Sequence, residues 1–295
     1  MTEKELFTRV GIRTEMPAPS KKQKRNQDFP WLSVLLLSAI VLCCLFAELL
    51  ITRDPTYLDL KNCNVAPNSE FLFGTDTLGR DIFSGIWYGG RISITIGFLA
   101  TLISTFIAVV YGSISGFASA WLDNLMMRFT EIFLSVPGLL LVLFFQAILG
   151  QANVVSLSIV IGVTSWASIA KVIRTEVRQI RSSEYVVVSK CMGGNFFHIL
   201  SKHLAPNFIA SIMFMVVMNV RSAIGLESTL SFMGMGLPLE IISWGSMLSL
   251  AENALMTTNW WIILIPGAFL ITLLMCLTNI GNYLRRNANH KESNL

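Results

Sequence analysis

Residues Ile92–Phe117 read ISITIGFLATLISTFIAVVYGSISGF, with no Asp, Glu, Lys or Arg among them. About 20 apolar residues, at the rise of an α-helix, cover the roughly 30 Å hydrocarbon layer of a bilayer, so this stretch is long enough to cross one. Inside lipid, backbone N–H and C=O groups have no water to bond. A helix satisfies them within the segment, whereas an isolated strand leaves them open. Outward from this block, five more apolar stretches follow the same logic: Trp31–Ile51, Met126–Leu149, Val154–Ala170, Phe208–Leu226 and Trp260–Leu284. The expected fold is therefore all-α and polytopic, with six transmembrane helices. Pro137 and Pro266 are expected to kink the third and sixth. Gly97, Gly112 and Gly116 allow close helix contact, for which ordinary packing is a sufficient reason.

Composition agrees with this reading. The 295 residues are 53% apolar and 14% charged, where a soluble domain carries roughly 25% charged residues. The expected layout is a tail over 1–30, a first helix over 31–51 and an outer loop over 52–91. A core of five helices follows over 92–284, with an inner loop at 184–207 and an outer segment at 227–259, and a second tail covers 285–295. The first apolar stretch follows Lys21, Lys22, Lys24 and Arg25 and runs into Arg53-Asp54-Pro55, with no small-residue cleavage site. It reads as an uncleaved anchor.

Charge placement orients the chain. If the amino terminus is cytoplasmic, the inner side holds the basic tail, Arg128, the Lys/Arg between Lys171 and Lys202, and those at the carboxyl end. Only Arg53, Lys61, Arg80 and Arg91 fall outside. This obeys the positive-inside rule and puts both termini in the cytoplasm. The net charge of +4 then calls for no nucleic acid. Of the five cysteines only Cys63 is external, and neither these nor His198, His203 and His290 have metal-ligand spacing.

Lys171, Arg174, Arg178 and Arg181 lie on one stripe of a helix leaving the membrane. They can anchor to anionic lipid headgroups or contact a partner protein. Beyond them, Glu184–Asn207 reads EYVVVSKCMGGNFFHILSKHLAPN: a short helix, a Gly-Gly turn, a second short helix and a Pro stop. Val186, Val187, Val188, Phe196, Phe197, Ile199 and Leu200 give this inner segment apolar knobs that need a cover, which the bilayer surface, this chain or a partner can supply.

This segment resembles the cytoplasmic loop of ABC-importer permeases, whose pattern is Glu-Ala-Ala, three residues, Gly, then a hydrophobic stretch ending near Pro. Gly193 stands at the motif glycine and Pro206-Asn207 at the ending. Val187-Val188-Ser189 depart from Glu-Ala-Ala, and Ala205 replaces a large aliphatic residue. Two outer stretches narrow the resemblance. They are Phe73–Ser84 (FGTDTLGRDIFS) with Tyr88–Ser93 (YGGRIS), and Leu230–Gly236 (LSFMGMG) with Pro238, Trp244-Gly245 and Met247-Leu248. Together with Trp260-Trp261, Pro266-Gly267 and Asn279 they resemble the dipeptide, oligopeptide and nickel branch, in particular its second, C-type membrane subunit.

The resemblance implies a non-catalytic permease in the bacterial cell membrane that forms half of a translocation pathway. Its implied partners are a homologous second permease, two ATPase subunits, an extracytoplasmic substrate-binding protein and membrane lipid. ATP and Mg belong to the ATPases, and no cofactor is bound by this chain. Peptides are the expected substrate, with nickel or a metal–chelator complex as the alternative. Glu184, Val187, Val188, Ser189, Gly193 and Pro206 are the expected ATPase-coupling residues.

Other residues are read from their own chemistry. Gly74 and Gly79 let the backbone turn tightly, and Asp76, Arg80 and Asp81 can pair internally or meet a docking protein. Trp87-Tyr88 and Trp260-Trp261 read as membrane-interface anchors. Arg221, inside the fifth span, needs a cavity or a carboxylate. Glu227 and Glu48 are its expected partners, and Arg221 with Glu227 is the candidate for the translocation path. Met213, Met215, Met218, Met233 and Met235 read as packing residues. No Gly-x4-Gly-Lys-Ser/Thr phosphate loop occurs. The competing class is an ATP-independent secondary transporter, for which no internal repeat is visible.

Overall fold

Ile92–Phe117 lies within a longer helix, α3 (Ile82–Phe117), in a computed structural model that describes residues 29–181, 183–193, 205–238, 240–250 and 259–292. The helix starts well before the apolar block because Asp81 caps it, accepting from the Ser84 N–H at 3.0 Å. Residues 82–91, expected to belong to an outer loop, are thus its first turns. Gly90 makes this packing possible: a Cβ there would lie 2.6 Å from both Cys44 Sγ and Trp244 Cζ2.

Before α3 come α1 (Trp31–Leu45) and the single turn α2 (Ala47–Leu50), separated at Phe46. After it, the third expected span is two helices, α4 (Ala120–Ser135) and α5 (Gly138–Leu149), meeting at 92°. The expected kink is therefore a corner. Pro137 drives the residue before it toward extended backbone, and Val136 has ψ 132. The fourth span is also divided. α6 (Val154–Thr164) starts in an Asn153–Ser156 capping box and α7 (Ala167–Ile180) leaves it at 46°. α8 (Glu184–Cys191), α9 (Ala205–Phe232), α10 (Trp244–Leu250) and α11 (Trp261–Glu292) complete the described α-helices. Pro266 sits near the start of α11 without interrupting it.

Among the described residues, α3 and residues 261–287 of α11 are each long and apolar enough to cross a membrane. The α4–α5 and α6–α7 pairs qualify when each is taken together, while α1 is a shorter apolar helix. Helix α3 is the spine, with α1, α6, α7, α9 and α10 packed along it. Its inner face is built of small side chains, among them Ser93, Ala100, Ser104, Ala108, Gly112 and Gly116, which are buried. Its outer face presents Phe98, Leu102 and Phe106, each more than half exposed. Small residues inside and large apolar ones outside is the pattern of helices that pack within lipid.

Candidate functional site

Two polar clusters stand at opposite ends of α3. The first begins with α7, whose Ile169, Ala170, Ile173 and Val177 recur at helical spacing and are buried. They reach α3 closely because Gly112 and Gly116 face them. A Cβ at Gly112 would lie 2.7 Å from the Ala170 carbonyl oxygen, and one at Gly116 2.6 Å from Val177 Cγ1. Beside this apolar seam sits Asp123, near the start of α4 and 3% exposed. Its Oδ1 accepts from Arg174 Nε at 2.6 Å and Ser115 Oγ at 2.6 Å, and its Oδ2 accepts from Arg174 Nη2 and from Arg178 Nη1 at 2.9 Å. Arg181 Nη1 donates to the Gly116 carbonyl at 2.9 Å. Three members of the basic stripe thus turn onto this chain. Lys171 lines a polar cavity of about 530 Å³ between α4 and α7, with Arg128, Glu131 and Thr175 on its wall.

Helix α8 is attached to the same body. The Ser183 hydroxyl donates to the Ile180 carbonyl at 2.6 Å, tightening the exit from α7. Val186, 1% exposed, packs in one cluster with Ile173, Val177 and Ile212. Val188 and Met192 point the other way, 56% and 84% exposed. Ser189 is half-buried, and Gly193 holds φ +88, a left-handed turn that glycine adopts without strain. The side chains of Glu184, Val187 and Pro206, and the expected second short helix over 194–204, lie outside the described residues.

At the other end, the Gly74–Asp81 motif, expected to be outer, folds on itself. Asp76 Oδ1 accepts from the backbone N–H groups of Leu78 and Arg80, each at 2.8 Å, and the Asp76 N–H donates to the Arg80 carbonyl. Burial pushes the Asp76 carboxyl above its usual range, against the pull of those N–H donors. Asp81 Oδ2 accepts from the Ser84 N–H and hydroxyl and from the Thr52 hydroxyl at 3.1 Å. Gly74 and Gly79 have φ +76 and +77, and a Cβ at Gly79 would run into the Asp59 backbone. Trp261 is a core residue here, 7% exposed with Nε1 donating to the Thr75 carbonyl at 3.2 Å. Its neighbour Trp260 is 56% exposed.

Deeper along the N-terminal half of α3 lies Glu227, fully buried. Hydroxyls of Ser243 (2.7 Å), Ser93 (2.9 Å), Ser231 (3.0 Å) and Ser228 (3.3 Å) donate to it. The carboxylate therefore joins α3, α9 and the entry to α10. Trp244, also fully buried, donates from Nε1 to the Ile86 carbonyl at 2.9 Å.

Residues 108–290 match the family model described as "Binding-protein-dependent transport system inner membrane component". The chain belongs to that family. It is similar to the oligopeptide transport system permease protein OppC of Bacillus subtilis, 34% identical over 88% of this chain and 85% of the relative. It is also similar to the dipeptide transport system permease protein DppC of Bacillus subtilis, 37% identical over 75% of this chain and 68% of the relative. Among solved structures it resembles a chain of the MetNI methionine ABC transporter, in inward-facing conformations. The TM-score is 0.54 at 16% identity, over 69% of this chain and 96% of that one. That likeness bears on the fold alone.

As a binding-protein-dependent transport permease the chain is a polytopic inner-membrane, non-catalytic subunit. The matched region takes in Asp123, α7, α8 and Glu227, and begins after the outer motif. Two readings of the permease's charges are corrected by its geometry. Glu227 is taken up by serines, and Glu48 pairs with Arg91 at 3.1 Å, so neither is the partner expected for Arg221. Arg221 is half-buried, and among the described residues its Nε has no hydrogen-bond partner. Neither Asp123 nor the serine cluster around Glu227 is marked as a site by the sequence motifs. The signal available for Asp123 is an acidic residue just ahead of the third apolar block.

Proposed function

We propose that the chain is one of the two membrane subunits of an ATP-driven peptide importer, with six spans and both termini cytoplasmic. The observation that carries this reading is α8: a short helix fixed to the core through Val186, with Val188 and Met192 turned out and a left-handed Gly193 at its end. Exposed apolar side chains on a helix outside the expected spans need a partner. A separate ATPase subunit fits, contacting Glu184, Val187, Val188, Ser189, Gly193 and Pro206. Two such ATPases hold ATP and Mg, and their closure moves α8 and switches the pathway between inward and outward access. A second, homologous permease supplies the other half of the path, and an extracytoplasmic binding protein delivers substrate.

Peptide is the favoured cargo because OppC and DppC, to which the chain is similar, are permeases of oligopeptide and dipeptide transport systems. Arg221 is assigned to the path, where its open Nε suits a substrate carboxylate. Glu227, enclosed by serines, is better read as a joint. The Asp76–Asp81 motif, bonded internally, is read as a brace for the outer end of α3. The test is a pull-down of the chain from native membranes. ATPase subunits are expected with the wild type and lost with Val188→Asp, while the permease itself is recovered at its normal level. Recovery of ATPase with Val188→Asp at the wild-type level removes α8 from the interface.

A further inference from the structure

We propose that Asp123 is a positioning residue for the transport cycle: it ties α7, and with it α8, to α4, so that displacement of α8 is delivered to the α4–α5 corner. This rests on the reading of α8 as the ATPase contact. The argument starts from how little else holds α4. Of its residues only Asp123 and Thr130 are buried, while Trp121, Leu125, Phe129 and Ile132 are each about half or more exposed. Among the described residues its other polar and ring ties to the body are the Tyr111 hydroxyl on the Met126 carbonyl at 2.6 Å and Phe133 beside Trp166. A helix held by a broad apolar face keeps its place through many weak contacts. Here one buried carboxylate carries the link, and its bonds to ionised donors are the strong kind.

The donors place that link mechanically. Arg174 and Arg178 stand on consecutive turns of α7, and Ser115 comes from the end of α3. Arg181, one turn further toward α8, donates to the Gly116 carbonyl in the last turn of α3. Val186 of α8 shares the cluster of Ile173 and Val177. α7, α8 and the end of α3 are therefore one body, with α4 pinned to it at Asp123. Beyond the 92° corner, α5 belongs to a different cluster, in which Val142 packs with Leu157, Val160 and Ile161 of α6. The Val136-Pro137 corner lies between two bodies, and Asp123 fixes the arm on one side of it.

The experiment uses the complete transporter in liposomes: this chain, its second permease, both ATPases and the binding protein. Peptide imported per ATP hydrolysed is the readout, because a residue needed only for folding lowers the amount of complex and leaves that ratio alone. Losing charge-assisted bonds at one site is expected to lower the ratio about tenfold in Asp123→Asn, with hydrolysis continuing. If Asp123→Asn does not assemble, Arg178→Gln, which removes one half-exposed donor, is expected to lower the ratio about threefold. An unchanged ratio in the variant that assembles, or failure of both to assemble, overturns the role of Asp123. A wild-type complex that imports nothing with ATP overturns the importer reading, and the proposal falls with it.

Discussion

The hydroxyl of Ser93 donates to the carboxylate of Glu227 across 2.9 Å, joining two helices whose residues stand 134 apart in sequence. Replacing Glu227 with Ala leaves that hydroxyl and those of Ser231 and Ser243 buried without their acceptor. The expected loss is at least about 2 kcal/mol, with Glu227→Gln milder because one oxygen acceptor remains. Thermal denaturation of the purified complex reads this, and an alanine variant as stable as wild type removes Glu227 as a joint.

The seam between α3 and α7 depends on the absence of side chains at two places. Gly112→Ala and Gly116→Ala each force a Cβ against α7 and are expected to destabilise by about 1–3 kcal/mol through overpacking. At Gly225 a Cβ meets nothing within 4 Å, so Gly225→Ala is expected to be neutral, or stabilising by up to about 1 kcal/mol from helix propensity. Melting temperatures of the three variants side by side check the order.

Asp76 makes the outer motif sensitive to pH. Its folded-state carboxyl titrates above the unfolded value because of burial, so the folded motif holds the proton more tightly. The motif is therefore expected to gain stability as pH falls through the folded pKa, the gain being complete below the unfolded pKa. Hydrogen exchange at the amides of Leu78 and Arg80, corrected for intrinsic rate, should slow on mild acidification. Asp76→Asn keeps an oxygen acceptor for both N–H groups and is expected to abolish the pH dependence.

Arg221 has a different signature. If it meets a substrate carboxylate, Arg221→Leu reduces uptake of peptides with free carboxyl termini, about tenfold for a lost charge-assisted bond, more than uptake of their amidated forms. Complex yield stays normal. Equal losses for both peptides with a lower yield assign Arg221 to structure.

The apolar stretches were legible because lipid imposes a single rule on them, and Ile92–Phe117 obeys it without exception. What sequence left open was how helices break and which charges meet. Pro137 announces a disturbance, but whether it bends a helix or turns a corner depends on what α5 packs against. The basic stripe was visible from helical spacing. Its direction was not, because Asp123 lies 51 and 55 residues from Arg174 and Arg178, and only the close α3–α7 seam brings them together. Glu227 read as a pathway charge for the same reason: its serines come from three separate stretches of sequence. The Asp76–Asp81 motif was readable as a turn, since Gly and Asp at those spacings have local work to do.

The central claim is that this chain moves peptide only as part of an ATP-driven complex engaged through α8. The most direct measurement is uptake of a labelled peptide into proteoliposomes that hold this chain, its second permease and both ATPases, with the binding protein added on the delivering side. The account predicts uptake that needs ATP and the binding protein together and disappears with Val188→Asp. Uptake by the chain without ATPases or ATP contradicts it and makes the protein a secondary transporter.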